Sequence, residues 1–450
     1  ETIVLPLQPA WTHVPRHAPR PAWPAPAKQD FWHEIRELRP VVTYDRAFQP
    51  VIAGDALYFG SSSDDHMYCL DAATGAVRWR FRTEGPVRLA PVIDGGRVYF
   101  GSDDGRVYAL DASSGKPIWH FRPPEPDWRI PGNGRIVSWM PTRSGLAVEN
   151  GIVYACSGLF GSQSVYVSAL DAATGEPRWS VKTPGIAPQG YLVLSPTRLF
   201  IPTGRTNPVV VDRKTGKVLG ETEGAGGAYA VLVDGQVATG PGRTSGNELE
   251  LADAESRETI ASFPGLRMVV AGDTAYLQSL TELWALDRPR YVELSHRQIL
   301  AQKRIKDTEK ALRQAKDETE IARLKQAIFE DGATVAALSL EMGACIRWKK
   351  AIEAPYALIL AGDVLFTGGN GFVAAHAIQD GTEKWRTDVD GCAYGLAVAN
   401  GRLYISTDKG RIYCFGAEPV SEKTPAEVLP SSEASPADEA MAEAILKQTG

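Results

Sequence analysis

Five arginines in this 450-residue chain stand beside glycine or proline rather than in runs of alternating charge. They are Arg88 in GPVRLAP, Arg135 in GNGRIVS, Arg205 in PTGRTNP, Arg243 in GPGRTSG and Arg267 in PGLRMVV. Guanidinium groups carried on such turns can converge and bind a carboxylate or phosphate bidentately. The competing reading is that each arginine pairs with a neighbouring acid or loop carbonyl. An anionic small ligand is therefore one expectation.

Other chemistry is weakly signalled. Cys69, Cys156, Cys345, Cys392 and Cys414 are odd in number and form neither a C-x-x-C nor an adjacent pair, which argues against a disulfide scaffold or a zinc site. Cys69 and Cys414 recur in one slot (YCLD, YCFG), where a small buried side chain suffices. The acidic stretches SDDHM (63–67) and SDDG (102–105) read as turns rather than metal loops. The seven histidines show no metal spacing, and no G-x-S-x-G, H-E-x-x-H or P-loop occurs. GAGG (224–227) follows ETE and opens no helix, so it fails as a dinucleotide loop. No catalytic residue and no metal is expected.

The elements that must position these groups are set by a repeat. YCLDAATGAVRWRF (68–81) returns as YALDASSGKPIWHF (108–121) and SALDAATGEPRWSV (168–181). Aligned on the turn aspartate, the copies fall at Asp71, Asp111, Asp171, Asp212, Asp253 and Asp287, separated by 40, 60, 41, 41 and 34 residues. A period near 40 predicts four antiparallel strands per unit, the blade of a β-propeller. The long interval holds a Pro/Gly-rich loop, RPPEPDWRIPGNGRIVSWMP (122–141). In D-A-x-[TS]-G the aspartate can accept backbone N–H bonds while glycine takes positive φ. The tryptophan four residues on, at Trp79, Trp119 and Trp179 and again at Trp348 and Trp385, is expected to cover the neighbouring blade.

Later copies are worn: Gly220 and Ala261 stand in the tryptophan slot of the fourth and fifth units, and Ala377 replaces the aspartate of the seventh. The last unit (393–416) stops after three strands. LPLQPAWTHVP (5–15) matches SGKPIWHFRPP (114–124) with Trp11 at the slot of Trp119, so the N-terminal strand is expected to complete it. The count is eight blades over 1–416, or seven if worn units merge. On the propeller face that carries the turns between second and third strands, the loops between blades would gather the arginines.

The L-D-A-x-T-G-x-x-x-W pattern resembles the PQQ-like repeat of quinoprotein dehydrogenases and of the propeller lipoprotein of the bacterial outer-membrane β-barrel assembly machinery. With RHAPRPAWPAP (16–26) and its helical insertion, the chain also resembles planctomycete PQQ-like repeat proteins, in some of which a methyltransferase domain follows. The resemblance implies an all-β eight-bladed propeller in a periplasmic or otherwise extracytoplasmic setting. PQQ enzymes of this class need carboxylate and amide ligands for calcium, a catalytic aspartate and often an adjacent-cysteine disulfide. Those motifs are missing, so no cofactor is expected and PQQ binding is disfavoured. A non-catalytic scaffold that binds a protein or ligand is the favoured reading, and a divergent quinone-dependent oxidoreductase the alternative.

Residues 291–344 interrupt the sixth unit. No glycine or proline occurs over 293–330, and Leu294, Ile305, Leu312, Ile321, Leu324 and Ile328 recur at helical spacing. One helix of that length would drive apart strands that must be ~5 Å neighbours, so an antiparallel hairpin turning near 315–320 is predicted. It is a candidate dock for a protein partner or a downstream domain. Residues 417–450 read as an acidic Pro/Ser-rich linker and a terminal helix. Together with Glu1 at the start, they read as a mature product or an excised fragment. With 44% hydrophobic and 23% charged residues and a net charge of -6, nothing favours nucleic acid, and no apolar run would span a bilayer.

Overall fold

A computed structural model describes residues 1–22, 44–132, 134–159, 163, 165–204, 206–224, 226–241 and 248–417. The linker and terminal helix expected over 417–450 lie outside these residues except for Ala417. The described residues are mostly β, with two long helices, and their sheets are the repeated antiparallel kind from which β-propellers are built. No helix among the described residues is long and apolar enough to cross a membrane.

One unit shows how the repeat folds. Val51–Ala53, Ala56–Gly60, His66–Asp71 and Val77–Arg82 pair in chain order. The second strand is buried along its whole length, whereas the fourth alternates between half-buried and exposed positions. Asp71 Oδ1 accepts from Ala73 N, Thr74 N and Thr74 Oγ1 at 2.9–3.0 Å, closing the turn. Asp111 and Asp171 do the same for their own turns. Hydrogen bonds from Ser113 and Ser114 hold the Asp111 carboxyl down at about 2.

Neighbouring units meet through the tryptophans. Indole Nε1 donates from Trp11 to Ala72 O, Trp79 to Ala112 O, Trp119 to Ala172 O, Trp179 to Arg213 O and Trp348 to Ile378 O, at 2.8–3.1 Å. Each indole lies on a turn glycine: at Gly75, Gly115, Gly175, Gly216 and Gly381, φ is 68–76° and a Cβ would fall 2.6–2.7 Å from a ring carbon. Glycine is thus required twice over, by backbone and by contact. Across the sheet each tryptophan faces a small residue: Cys414, Cys69, Ala109, Ala169, Ala285 and Ala375 oppose Trp11, Trp79, Trp119, Trp179, Trp348 and Trp385. Opposite the worn positions the partners are large, Val210 facing Gly220 and Leu251 facing Ala261.

The N-terminal strand Gln8–His13 pairs antiparallel with Ile412–Gly416, placing Trp11 opposite Cys414. It forms the edge of a seven-stranded sheet. In that sheet the 17-residue strand Glu383–Ala399 pairs with Asn370–Ala377 through its first half and with Arg402–Thr407 through its second. Trp385, whose unit is followed by no further turn of the repeat, donates instead to Leu7 O at 3.1 Å.

The insertion is two helices, α1 (Arg288–Leu312) and α2 (Glu318–Ala344), lying between Glu282–Asp287 and Ile346–Ala351, which still pair as sheet neighbours. Asp287, the repeat's turn aspartate, becomes the N-cap of α1 and accepts from Arg290 N. Asp287 N still donates to Cys345 O at 2.9 Å, as Asp71 N does to Ala76 O at 2.7 Å, so the turn's closing bond spans the insertion. Asp317 caps α2 through Glu320 N. Arg304 with Asp331 and Gln298 with Ser339 tie the helices together. The base of the hairpin is not a free arm. Tyr291 stacks on Phe263 at 5.0 Å, and Ser295 Oγ accepts from Ser262 N. The helices thus cover the outer strand Thr259–Pro264, whose tryptophan slot holds Ala261.

Candidate functional site

The segments entering the innermost strands and the turns between second and third strands share one face. Asp103 N, in the turn after Arg97–Gly101, donates to Pro86 O, and Thr142 N donates to Ser102 O. Around this face an arginine or tyrosine recurs shortly before or at the start of each innermost strand pairing: Arg46, Arg88, Arg143, Tyr191, Tyr229, Arg267, Tyr356 and Tyr394.

Their contacts run from one to the next. Arg46 Nη1 donates to Tyr394 Oη at 3.1 Å, and its guanidinium stands 5.8 Å from that ring's centre. Tyr394 packs on Tyr356 at 4.7 Å. Arg267 donates to Pro355 O. Tyr229 Oη donates to Met268 O at 2.6 Å and accepts from Met268 N. Tyr191 Oη accepts from Ala90 N, 101 residues earlier, at 3.0 Å. Ser144–Gly145 runs parallel to Gly190–Tyr191, and a Cβ on Gly145 would collide with the Tyr191 ring. Loss of solvent pushes the Tyr191 phenol up to about 12, so it stays a neutral hydroxyl.

The charged part of this ring is buried. Arg143 grips Asp103 bidentately, Nε to Oδ1 and Nη2 to Oδ2, both at 2.8 Å. Arg88 Nε donates to Asp103 Oδ2 at 2.8 Å, and its Nη1 reaches Asp45 Oδ2 at 3.1 Å and Arg20 O at 2.7 Å. Asp103 is fully shielded from solvent. Burial alone would raise its carboxyl, but the Arg143 and Arg88 charges outweigh burial and hold it below the ordinary aspartate value. The neighbouring Asp104, also shielded, accepts from Tyr108 Oη and Glu84 N and so braces the same turn.

Among the five arginines singled out from sequence, Arg88, Arg135 and Arg267 do not stand free. Arg135 donates to Ser62 O and Asp65 Oδ2, and Arg267 to Pro355 O. This corrects the picture of unpaired guanidinium groups converging on a ligand: an acid or a carbonyl of the chain itself takes each of these donors. Arg205 and Arg243 lie outside the described residues. Arg46, Arg143 and the four tyrosines were missed, although each arginine stands five to eight residues before a turn glycine (Gly54, Gly95, Gly151, Gly272). SDDG is a turn as expected, but its acids face inward as counter-charges.

A family model described as outer membrane protein assembly factor BamB matches residues 22–138 and 140–371. No curated protein sequence matches the chain. Among solved structures, quinohemoprotein alcohol dehydrogenase from Comamonas testosteroni superposes with a TM-score of 0.57 at 13% identity, over 96% of this chain and 79% of that one. A europium-containing methanol dehydrogenase gives 0.52 at 11% identity, over 86% and 95%. The computationally designed Ika8 protein gives 0.55 at 11% identity, over 83% and 97%. At these identities the likeness is one of fold. The match to the family model covers most of the sequence, and the chain belongs to the BamB-type family of PQQ-like propeller repeat proteins.

Proposed function

We propose that the chain is a non-catalytic binding propeller of eight blades, closed by its N-terminal strand and docked blade to blade by the tryptophans, working as a scaffold in an extracytoplasmic bacterial setting. The observation that carries this reading is the hydrogen bond between Tyr191 Oη and Ala90 N within the Arg/Tyr ring. The Tyr191 side chain reaches a main-chain amide 101 residues earlier, across the end of the propeller where a cofactor would need a flat slot. The donor chemistry agrees. The buried acids there, Asp103 and Asp45, are bonded to Arg88 and Arg143 rather than turned toward a cation. Among the described residues no three His, Cys, Asp or Glu side chains cluster to hold a metal. These residues do not fit PQQ with calcium.

Among the described residues, the blade assignment rests on six four-stranded sheets and one seven-stranded sheet that the N-terminal strand completes. With blades over 1–416, the helices over 291–344 form a separate feature on the propeller rather than a blade. The family's description, an assembly factor, supports protein binding as the role. Equilibrium dialysis and absorbance with PQQ and Ca²⁺ test the reading. Background retention is expected; one quinone retained per chain would make the protein a divergent quinone-dependent oxidoreductase.

A further inference from the structure

The face of α2 that points away from α1 is apolar and uncovered. Phe329 is 72% and Leu340 79% exposed, and between them Ala333 and Ala336 are exposed as well. At 100° per residue these four fall in one narrow stripe. The opposite side carries Leu324, Ile328, Val335 and the buried Leu338, which meet the rest of the molecule. From Gln326 to Ala344 the only charged residues, Glu330, Asp331 and Glu341, lie off the stripe. Gly332 and Gly343 weaken the helix and border the same stripe, and a Cβ on either would meet nothing within 4 Å. Among the described residues no packing explains these two glycines or the two bare large side chains.

The stripe reads the same in both directions. Phe329, Ala333, Ala336 and Leu340 are spaced four, three and four residues apart, with large residues outside and small ones within. An isologous contact between two identical helices, antiparallel about a two-fold axis, needs this symmetry. It sets Phe329 of one copy against Leu340 of the other and lets Ala333 and Ala336 bring the backbones close. It also turns Arg323 of each copy toward the flank that carries Glu341 of the other. Parallel pairing would set like on like. Two hairpins joined this way make an antiparallel helical bundle, in which short side chains at the crossing are favourable.

We infer that a second copy of this chain covers the α2 stripe, making the protein a homodimer joined through its helical insertions. The inference is independent of whether the propeller is a scaffold or an enzyme. Sedimentation of the full chain over a concentration series tests it, beside the Phe329→Glu/Leu340→Glu double variant. The wild type should become dimeric by about 10–100 µM, and the variant should stay monomeric with unchanged circular dichroism. Geometry is tested separately by oxidation. The Phe329→Cys/Leu340→Cys variant should cross-link across the two-fold axis, whereas either single cysteine variant, with its copies ~16 Å apart along the helices, should not. A monomeric wild type, or a dimer that the glutamates leave intact, overturns the inference. A wild type that dimerises only after residues 418–450 are removed shows the terminal segment on the stripe and overturns it equally.

Discussion

Arg257 occupies the space over Gly220 that an indole fills at five other junctions between units. Arg257 stands where the turn of the repeat has glycine and keeps glycine's positive φ, 69°. Gly220 stands where the outer strand has tryptophan, with φ 124°. The guanidinium donates to Leu219 O at 2.6 Å, and a Cβ on Gly220 would collide with Arg257 Nη1. The bulky and the small partner have exchanged sides of one contact. The cross-strand neighbour has followed, Val210 taking the place of the usual alanine or cysteine.

This exchange makes a graded prediction. Arg257→Ala should lose about 1–2 kcal/mol, because the hydrogen bond and the packing both go while the strained φ stays. Arg257→Gly should lose less, since relief of positive φ recovers about 0.5–1 kcal/mol. Urea denaturation of both variants checks the order; alanine tolerated better than glycine would refute the account.

The N-terminal strand makes a second. Removing residues 1–15 uncovers the edge of Ile412–Gly416, strips Trp11 from Gly75 and takes away Leu7 O, the acceptor of Trp385. A loss of several kcal/mol and aggregation through the bared edge are expected. An unchanged melting temperature would show that this strand does not belong to the closure.

How much of this was legible depends on how far apart the deciding residues lie. The turn aspartate, glycine and tryptophan sit within one short stretch, so the units and the N-terminal match could be read from spacing alone. So could the hairpin, because only a reversal returns the chain to a neighbouring strand; it was expected near 315–320 and falls at 313–317. The Arg/Tyr ring was hidden, since its spacing from the next turn drifts with loop length. The pairing of Arg88 and Arg143 with Asp103 joins residues 15 and 40 positions apart. Gly220 and Ala261 looked merely worn because what replaces the indole comes from a different unit.

The buried charge cluster predicts a pH response. Asp103 is held below its ordinary value of 3.8, so the stability it gives is fully present above that pH. It is lost as the pH falls through the lower folded-state value. Asp103→Asn leaves Arg88 and Arg143 without their shared carboxylate and should cost about 3–5 kcal/mol at neutral pH. As the pH falls below 3.8 the gap between variant and wild type should narrow, because the wild type's unfolded state takes up the proton first and its folded state follows only at lower pH. Urea midpoints at pH 7 and pH 3 check this; a gap that stays constant would mean that the carboxylate's charge is not what stabilises the cluster.

The hairpin and the missing tryptophan of the preceding unit substitute for one another. α1 covers Thr259–Pro264 through Tyr291 on Phe263 and Ser295 on Ser262 N, where other junctions have an indole. Replacing residues 288–344 by an Ala-Ala-Thr-Gly turn after Asp287 keeps the closing bond of the repeat but bares Phe263, which is now completely buried. That replacement should cost about 3–5 kcal/mol, the scale of a lost large aromatic contact. Adding Ala261→Trp alone should not restore stability, because Leu251 lies opposite and fills the space. Adding Leu251→Ala as well recreates the small-opposite-indole pair found at Trp119 with Ala109, while the replacement turn supplies the glycine for the indole to lie on. The combined variant should recover most of the loss in thermal denaturation. If it melts no higher than the plain replacement, the hairpin contributes something other than cover for this junction.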